Sequence, residues 1–543
     1  MAKCAMEVAT VTPERAVNFP SNFTFSTETF RHYRTIEKLK HLPSLTPFDS
    51  KLKCPLLENV TAYKGEKMKF SFINPGPNPE LPIEDTKKMI AAAPPLGMLY
   101  IATILRKEGI EVSMIDEAAQ GFSMKGTVDW VKKEDPDILG FSTCSSSGRK
   151  AAIIAEKVKE ENPNIIIVFG NFYATFNAER ILKKYPFVDV IVRGEGEYTS
   201  LELVKCLEKK ENLKKVLGIT FRKKNRIIAT PDRPLIKDVD SIPFPDRGLL
   251  EVEYHNTTAG INVAPKKFSS FISSRGCVFR CRFCGCRRLA RNLWRSRSVE
   301  NILEELHLLA SEGYKQFLFV DDNFTLNQKR VIKICQRMRK EKVDVEWFAE
   351  GRVDQCSYDM LREMVRANCR MMYFGIENAT QKVLDYYHKQ TTPEQAEVAV
   401  KKARKAGIDV IVTSFILGAP NETREEIQNT LKFAEKLQVD IPQFNILATF
   451  PGTDIWEELK MKGVLDEEKY WETGVLVPEV SPDTVPCEEI ERMIHEGYRR
   501  FLIRPSYILT QLFRISTSSY RFNLLVNNLK QVDTIAESVR LVT

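Results

Sequence analysis

Short apolar runs closed by Gly, Pro, Asp or Ser alternate along most of the chain with longer stretches whose apolar positions recur every three or four residues. The first pattern reads as strands buried on both faces, the second as amphipathic helices. Strands are predicted at Lys69–Asn74, Ile110–Ile115, Ile138–Ser142, Ile165–Phe169 and Val188–Val192, with helical spacing from Leu99 to Lys107. Such alternation predicts an α/β fold built on a doubly wound parallel sheet. Ligands of these sheets sit at the carboxyl ends of the strands. Here those ends carry Asn74-Pro-Gly, Ser142-Thr-Cys-Ser-Ser-Ser-Gly148, Gly170-Asn-Phe-Tyr-Ala-Thr175 and Gly194-Glu-Gly-Glu197, of small or polar character.

A Pro-rich stretch from Pro231 through Asp246 reads as a linker. Beyond it a second alternation places strands near Ser269–Ser274, Gln316–Val320, Val345–Ala349, Met371–Ile376, Val410–Leu417 and Gln443–Ala448, each followed by a helical segment. Six βα units with right-handed crossovers predict an open, partial version of a parallel (βα) barrel. The expected organisation is therefore an arm over residues 1–65, a sheet domain over 66–230, a linker over 231–264, a barrel domain over 265–460 and a mostly helical cap over 461–543.

Composition narrows the function classes. With 543 residues, 43% hydrophobic and 28% charged, the chain has ample core for several domains, and disorder, collagen and coiled coil are excluded. The 80 basic and 72 acidic residues leave +8, spread over helix faces too diffusely to indicate a nucleic-acid partner. The run from Ile408 to Leu417 is broken by Asp409 and reads as a buried strand, not a membrane span. The opening Met1-Ala-Lys-Cys-Ala-Met-Glu-Val lacks the basic-then-apolar order of a signal peptide, so a cytoplasmic protein is expected. The tail from Ile503 to Leu525 mixes Leu, Ile, Phe and Tyr with Arg, as interfacial helices do. It reads either as a packed cap or as a peripheral contact with a membrane, the latter carrying a lipid substrate with it.

Twelve Cys are too few for a disulfide scaffold in a chain of this length, but one tight cluster stands out: Ser274-Arg-Gly-Cys277-Val-Phe-Arg-Cys281-Arg-Phe-Cys284-Gly-Cys286. Three thiolates on one short loop, spaced by three and then two residues, can wrap an inorganic cluster. Structural zinc would need a fourth ligand; Cys286 could supply one, and none of the six His lies nearby.

The Cys-x3-Cys-x2-Cys spacing, with Phe283 before the third Cys and a predicted strand just upstream, resembles the radical S-adenosylmethionine (SAM) superfamily. The resemblance implies a [4Fe-4S] cluster on Cys277, Cys281 and Cys284, with one iron open to the amino and carboxylate groups of SAM, and Cys286 as a free thiol. It also implies SAM contacts at later strand ends: Asp321 and Asp322 to the amino group, Arg352 to the carboxylate through its planar fork, and Glu377 to the ribose. A solvated turn for the two acids and a surface ion pair for Arg352 are the plain alternatives.

Residues 67–200 resemble the cobalamin-binding domain found ahead of many radical SAM domains, carried by Pro94-Pro-Leu-Gly, Ile115-Asp116, Pro136 to Ser142, Gly170 to Thr175 and Gly194 to Glu197. Ser142, Gly170, Tyr173, Thr175, Gly194 and Glu195 become implied cofactor contacts. The chain departs from other corrinoid proteins in having no His between His41 and His255, so this domain has no imidazole for cobalt, and Tyr173 or water is left as a lower ligand. The resemblance implies methylation of an unactivated carbon by a 5′-deoxyadenosyl radical and methylcobalamin, with a low-potential donor such as ferredoxin or flavodoxin. Cyclisation, rearrangement or carbon–carbon coupling with the same cofactors is a second reading, and a non-catalytic cluster- and cobalamin-binding sensor a third. The substrate class is a small molecule, a natural product or a lipid, and no catalytic side chain is assigned.

Overall fold

A computed structural model describes residues 67–77, 93–224, 226–258, 261–467, 470–471 and 485–540, side chains from 530 onward excepted. The arm expected over residues 1–65 lies outside the described residues. The first sheet contains β1 (Lys69–Asn74), β2 (Glu111–Asp116), β3 (Ile138–Ser142), β4 (Ile166–Gly170), β5 (Val190–Val192), β6 (Ile219–Lys223) and β7 (Arg226–Ala229), in the order β2-β1-β3-β4-β5-β6-β7. Strands β1 to β5 pair in parallel. Their central residues are buried on both faces, as the continuous apolar runs require. The strand order reverses between β1 and β3, which opens a crevice at their carboxyl ends.

Two further strands, β6 and β7, extend this sheet antiparallel. The sequence reading missed this hairpin because Arg222, Lys223, Lys224 and Arg226 mask its alternation, and its turn places Lys224 at φ +52°.

The second sheet is wholly parallel: β8 (Phe268–Phe271), β9 (Gln316–Phe319), β10 (Glu346–Arg352), β11 (Cys369–Glu377), β12 (Val410–Leu417) and β13 (Ile441–Ile446), paired in that order, with β8 and β13 at the two ends. Helices return outside each strand, and Phe317, Phe319, Trp347, Phe374 and Phe415 fill the layer between them. All eight residues of β12 are buried, and Asp409 stops just short of it, paired with Arg370. The helix Cys487–Ile503 buries Ile490, Ile494, Tyr498 and Phe501, and the Tyr498 hydroxyl accepts from Phe444 N at 3.0 Å.

Strand β8 ends at Phe271, short of the expected Ser274, because Ser273 and Ser274 turn their hydrogen bonds onto Asp321. One apolar cluster joins the two domains, combining Leu99 and Leu105 with Leu318, Phe348, Met371 and Val412. Among the described residues no helix is long and apolar enough to cross a membrane.

Candidate functional site

After β8 the chain makes a two-rung antiparallel pairing, Ser274 with Ser296 and Arg275 with Arg295, so residues 276–294 form a loop closed at its base. Gly276 opens it at φ +87°, and a Cβ there would lie 2.1 Å from Leu293 O, so only glycine fits. Cys277, Cys281 and Cys284 follow, each partly exposed. Phe283 turns into the barrel against Tyr387, with ring centroids 5.3 Å apart, while Arg282 N donates to Tyr387 O and Asp454 N to Arg282 O. These contacts fix the middle of the loop to the strand ends.

Burial and the neighbouring Cys281 push the Cys284 thiol up to about 12, and burial also raises Cys277. Thiols desolvated together in this way become thiolates only beside a strong cation, which suits iron. Among the described residues no three His, Cys, Asp or Glu side chains are gathered tightly enough to share a single metal ion. Cys286 is buried at the head of the helix Cys286–Leu289, and burial together with adjacent Asp322 raises its thiol far above the ordinary range.

The acidic pair after β9 braces this loop. Asp321, 1% exposed, accepts from Ser273 N at 2.7 Å and from the hydroxyls of Ser273 and Ser274 at 2.6 and 2.5 Å. Its carboxylate is thus engaged in holding the chain that leads to the cysteines, a departure from the expected SAM contact. Asp322 Oδ2 accepts from Gly276 N at 2.8 Å, while its Oδ1 is buried without a partner.

Arg352 ends β10 beneath the loop, its guanidinium 3.6 Å from the Phe279 ring and its Nη1 3.8 Å from Cys281 Sγ. It is buried rather than on the surface, and its fork bonds Asp354 and Lys389 O. Glu377 ends β11 at φ +71° after a bulge. It is 3% exposed, its Oε1 accepts from Lys389 Nζ at 2.5 Å, and its Oε2 is buried without a partner. A buried acceptor of this kind is an incomplete site, ready for a donor such as a hydroxyl. Sequence reasoning missed Lys389, which only the fold brings here, and gave no role to Phe279, although it lies between Cys277 and Cys281.

The carboxyl ends of the first sheet meet this loop. Ser142 Oγ accepts from Asn171 Nδ2, Gly170 precedes the helix Asn171–Phe176, and Thr175 Oγ1 accepts from Gly194 N at 3.1 Å. Tyr173 does not join them: it is 3% exposed in the apolar core, with Tyr470 and Trp471 beside its ring. Its neighbour Phe172 instead reaches the cysteine loop, and a Cβ on Gly285 would lie 2.1 Å from its ring.

Glu195 also differs from the cofactor contact expected of it. It pairs with Arg295 at 2.9 Å and Arg275 at 3.3 Å and accepts from Ile236 N, while Glu197 pairs with Arg275 at 2.7 Å. Although burial opposes it, the Arg295 and Arg275 guanidiniums hold the Glu195 carboxyl below its usual range. The two arginines face each other across the base of the cysteine loop, an arrangement that repels unless carboxylates intervene. The first domain supplies both.

Comparison with known proteins agrees with this geometry. The family model described as the radical SAM superfamily matches residues 271–434, and that of the B12 binding domain matches 91–204. An uncharacterized methyltransferase of Pyrococcus horikoshii is 36% identical over 435 residues, covering 80% of this chain and 93% of the relative. The anaerobic magnesium-protoporphyrin IX monomethyl ester cyclase of Rubrivivax gelatinosus is 30% identical over 427 residues, covering 76% and 75%. Among solved structures, the radical S-adenosylmethionine methyltransferase TsrM of Kitasatospora setae, with cobalamin and a [4Fe-4S] cluster bound, has the same fold. Its TM-score is 0.59 at 16% identity, covering 73% of this chain and 75% of that one.

Proposed function

Since this chain belongs to the radical SAM superfamily, in the group that carries a B12-binding domain, we propose that it methylates an unactivated carbon of a small molecule. It is a cobalamin-dependent radical SAM enzyme, and its cofactors are a [4Fe-4S] cluster, SAM and cobalamin. When bound, these supply a 5′-deoxyadenosyl radical that removes hydrogen and a methyl group to replace it. The cluster would be held by Cys277, Cys281 and Cys284, with Phe283 anchoring their loop and Arg352 placing positive charge beside Cys281. Glu377, oriented by Lys389, would accept from the SAM ribose, and the unpartnered oxygen of Asp322 would take the SAM amino group.

Ser142, Gly170, Thr175 and Gly194 would border the corrinoid, since Ser142, Gly170 and Gly194 lie at or just past strand ends of the edge that meets the cysteine loop and Thr175 is hydrogen-bonded to Gly194. Tyr173 is committed to the core and the domain has no His, so neither Tyr173 nor an imidazole of this domain would be a ligand to the corrinoid metal. A ferredoxin or flavodoxin would provide the electron.

The observation that carries the methylation reading is the Pyrococcus horikoshii methyltransferase, matched along 93% of its length. The Rubrivivax gelatinosus cyclase supports a second reading, ring formation without methyl transfer. Turnover with methyl-deuterated SAM separates the two. Methylation requires deuterated product and equal amounts of 5′-deoxyadenosine and S-adenosylhomocysteine; product without deuterium rejects it and leaves the radical SAM assignment intact.

A further inference from the structure

The helix Pro505–Thr517 packs inside out. None of its residues is buried, and the face it turns to the protein is polar: the Tyr507 hydroxyl donates to Asp440 O at 2.8 Å, and Gln511 and Arg514 donate to the Asp440 carboxylate at 3.1 and 3.0 Å. Its outward face carries Ile508, Leu509, Leu512 and Phe513, which are 46%, 67%, 58% and 67% exposed. The next helix, Ser519–Arg540, buries Tyr520 and Leu524 against the core and is apolar on its outer side as well. Arg521 bonds Asp440 at 2.6 Å and Tyr520 bonds Val263 O, while Phe522, Leu525 and Leu529, at helical spacing, are 54%, 39% and 53% exposed. A helix resting in water presents the opposite polarity, and paired apolar stripes of this length mark an interaction surface.

Charge identifies the partner. Residues 497–540 contain six Arg and one Lys against two acids, Asp533 and Glu537. Under the helices Arg404, Arg514 and Arg521 converge on Asp440, so three guanidiniums against one carboxylate leave two positive charges in excess. A second copy of this face would set like charges against each other, whereas an anionic surface would neutralise them. We infer that the two helices dock the enzyme in the plane of an anionic lipid surface, with Leu509, Leu512, Phe513, Phe522 and Leu525 entering the acyl boundary. The inference goes beyond the proposed reaction and does not rest on it.

The test is co-sedimentation of the full-length, cofactor-loaded protein with vesicles of phosphatidylcholine alone, or of two parts phosphatidylcholine to one part phosphatidylglycerol. Binding should require phosphatidylglycerol and weaken as salt rises. The double substitution L509E/F513E, at two exposed positions remote from the cysteine loop, should weaken binding by about tenfold or more while leaving SAM cleavage unchanged. No binding to the anionic vesicles, or equal binding by the double variant, overturns the inference. A dimer in sedimentation velocity that L509E/F513E abolishes, without vesicle binding, also overturns it and assigns the face to a second copy.

Discussion

Arg275 sits two residues before Cys277, with its guanidinium between Glu195 and Glu197 and over the Tyr100 ring at 5.2 Å. Arg275→Met keeps much of the side-chain volume and removes the charge. Glu195 keeps Arg295, but Glu197, with a side chain 5% exposed, loses its partner. Breaking one side of a buried pair costs about 3–5 kcal/mol, mainly from the uncompensated charge left behind. At roughly 2–4 °C per kcal/mol for a domain of this size, the thermal midpoint should fall by about 6–20 °C. Because Arg275 is in the ladder that closes the cysteine loop, reconstituted iron should fall with it. Arg275→Met combined with Glu197→Gln removes both charges and should recover at least about half of the loss. Differential scanning calorimetry and iron analysis on the three proteins check this. An unchanged midpoint in the single variant, or a double variant less stable than the single, would refute the reasoning.

Three further outcomes are expected. Anaerobic reconstitution should yield about four irons at the cysteine loop; replacing Cys277, Cys281 and Cys284 together by Ala should remove them and abolish SAM cleavage, whereas Cys286→Ala should retain cleavage. The electron paramagnetic resonance spectrum of the Co(II) form should lack strong nitrogen splitting, because the first domain contains no His; such splitting would show a nitrogen ligand from elsewhere. Burial raises the Glu422 carboxyl to about 7 despite hydrogen bonds from Asn378, Ala419 and Gly418. The folded protein therefore holds a proton that the unfolded chain releases near the ordinary 4.5, and stability should fall as pH rises from about 4.5 to about 7, by roughly 3 kcal/mol at most. Glu422→Gln, whatever its absolute stability, should flatten that slope in thermal midpoints measured across the window.

Strands buried on both faces were legible because their apolar runs are continuous: β12 occupies the predicted Val410–Leu417, and β9 falls one residue short of its predicted end. The three-cysteine loop was legible because its cysteines are close in sequence. What escaped were features made by side chains meeting across the fold. Glu195 looked like a cofactor-facing acid because its partners Arg275 and Arg295 lie some 80 and 100 residues away. Asp321 looked solvent-facing or ligand-facing, while its three donors come from a strand end 47 and 48 residues earlier. Tyr173 was expected to face the corrinoid, but it falls in the helix Asn171–Phe176, whose direction, which sequence spacing does not encode, sends its ring into the core and Phe172 outward.

The two-rung ladder at Ser274–Arg275 and Arg295–Ser296 bears on how this region can change over time. Because the loop leaves and rejoins the scaffold at one place, its length is uncoupled from β8 and from the helix Val299–Ser311 that follows. Doubling such a loop adds only about 0.6 kcal/mol of closure entropy. A change of loop length away from Ala290 and Leu293, which pack on Gly276, therefore leaves both flanking elements in place and the spacing of the three cysteines fixed.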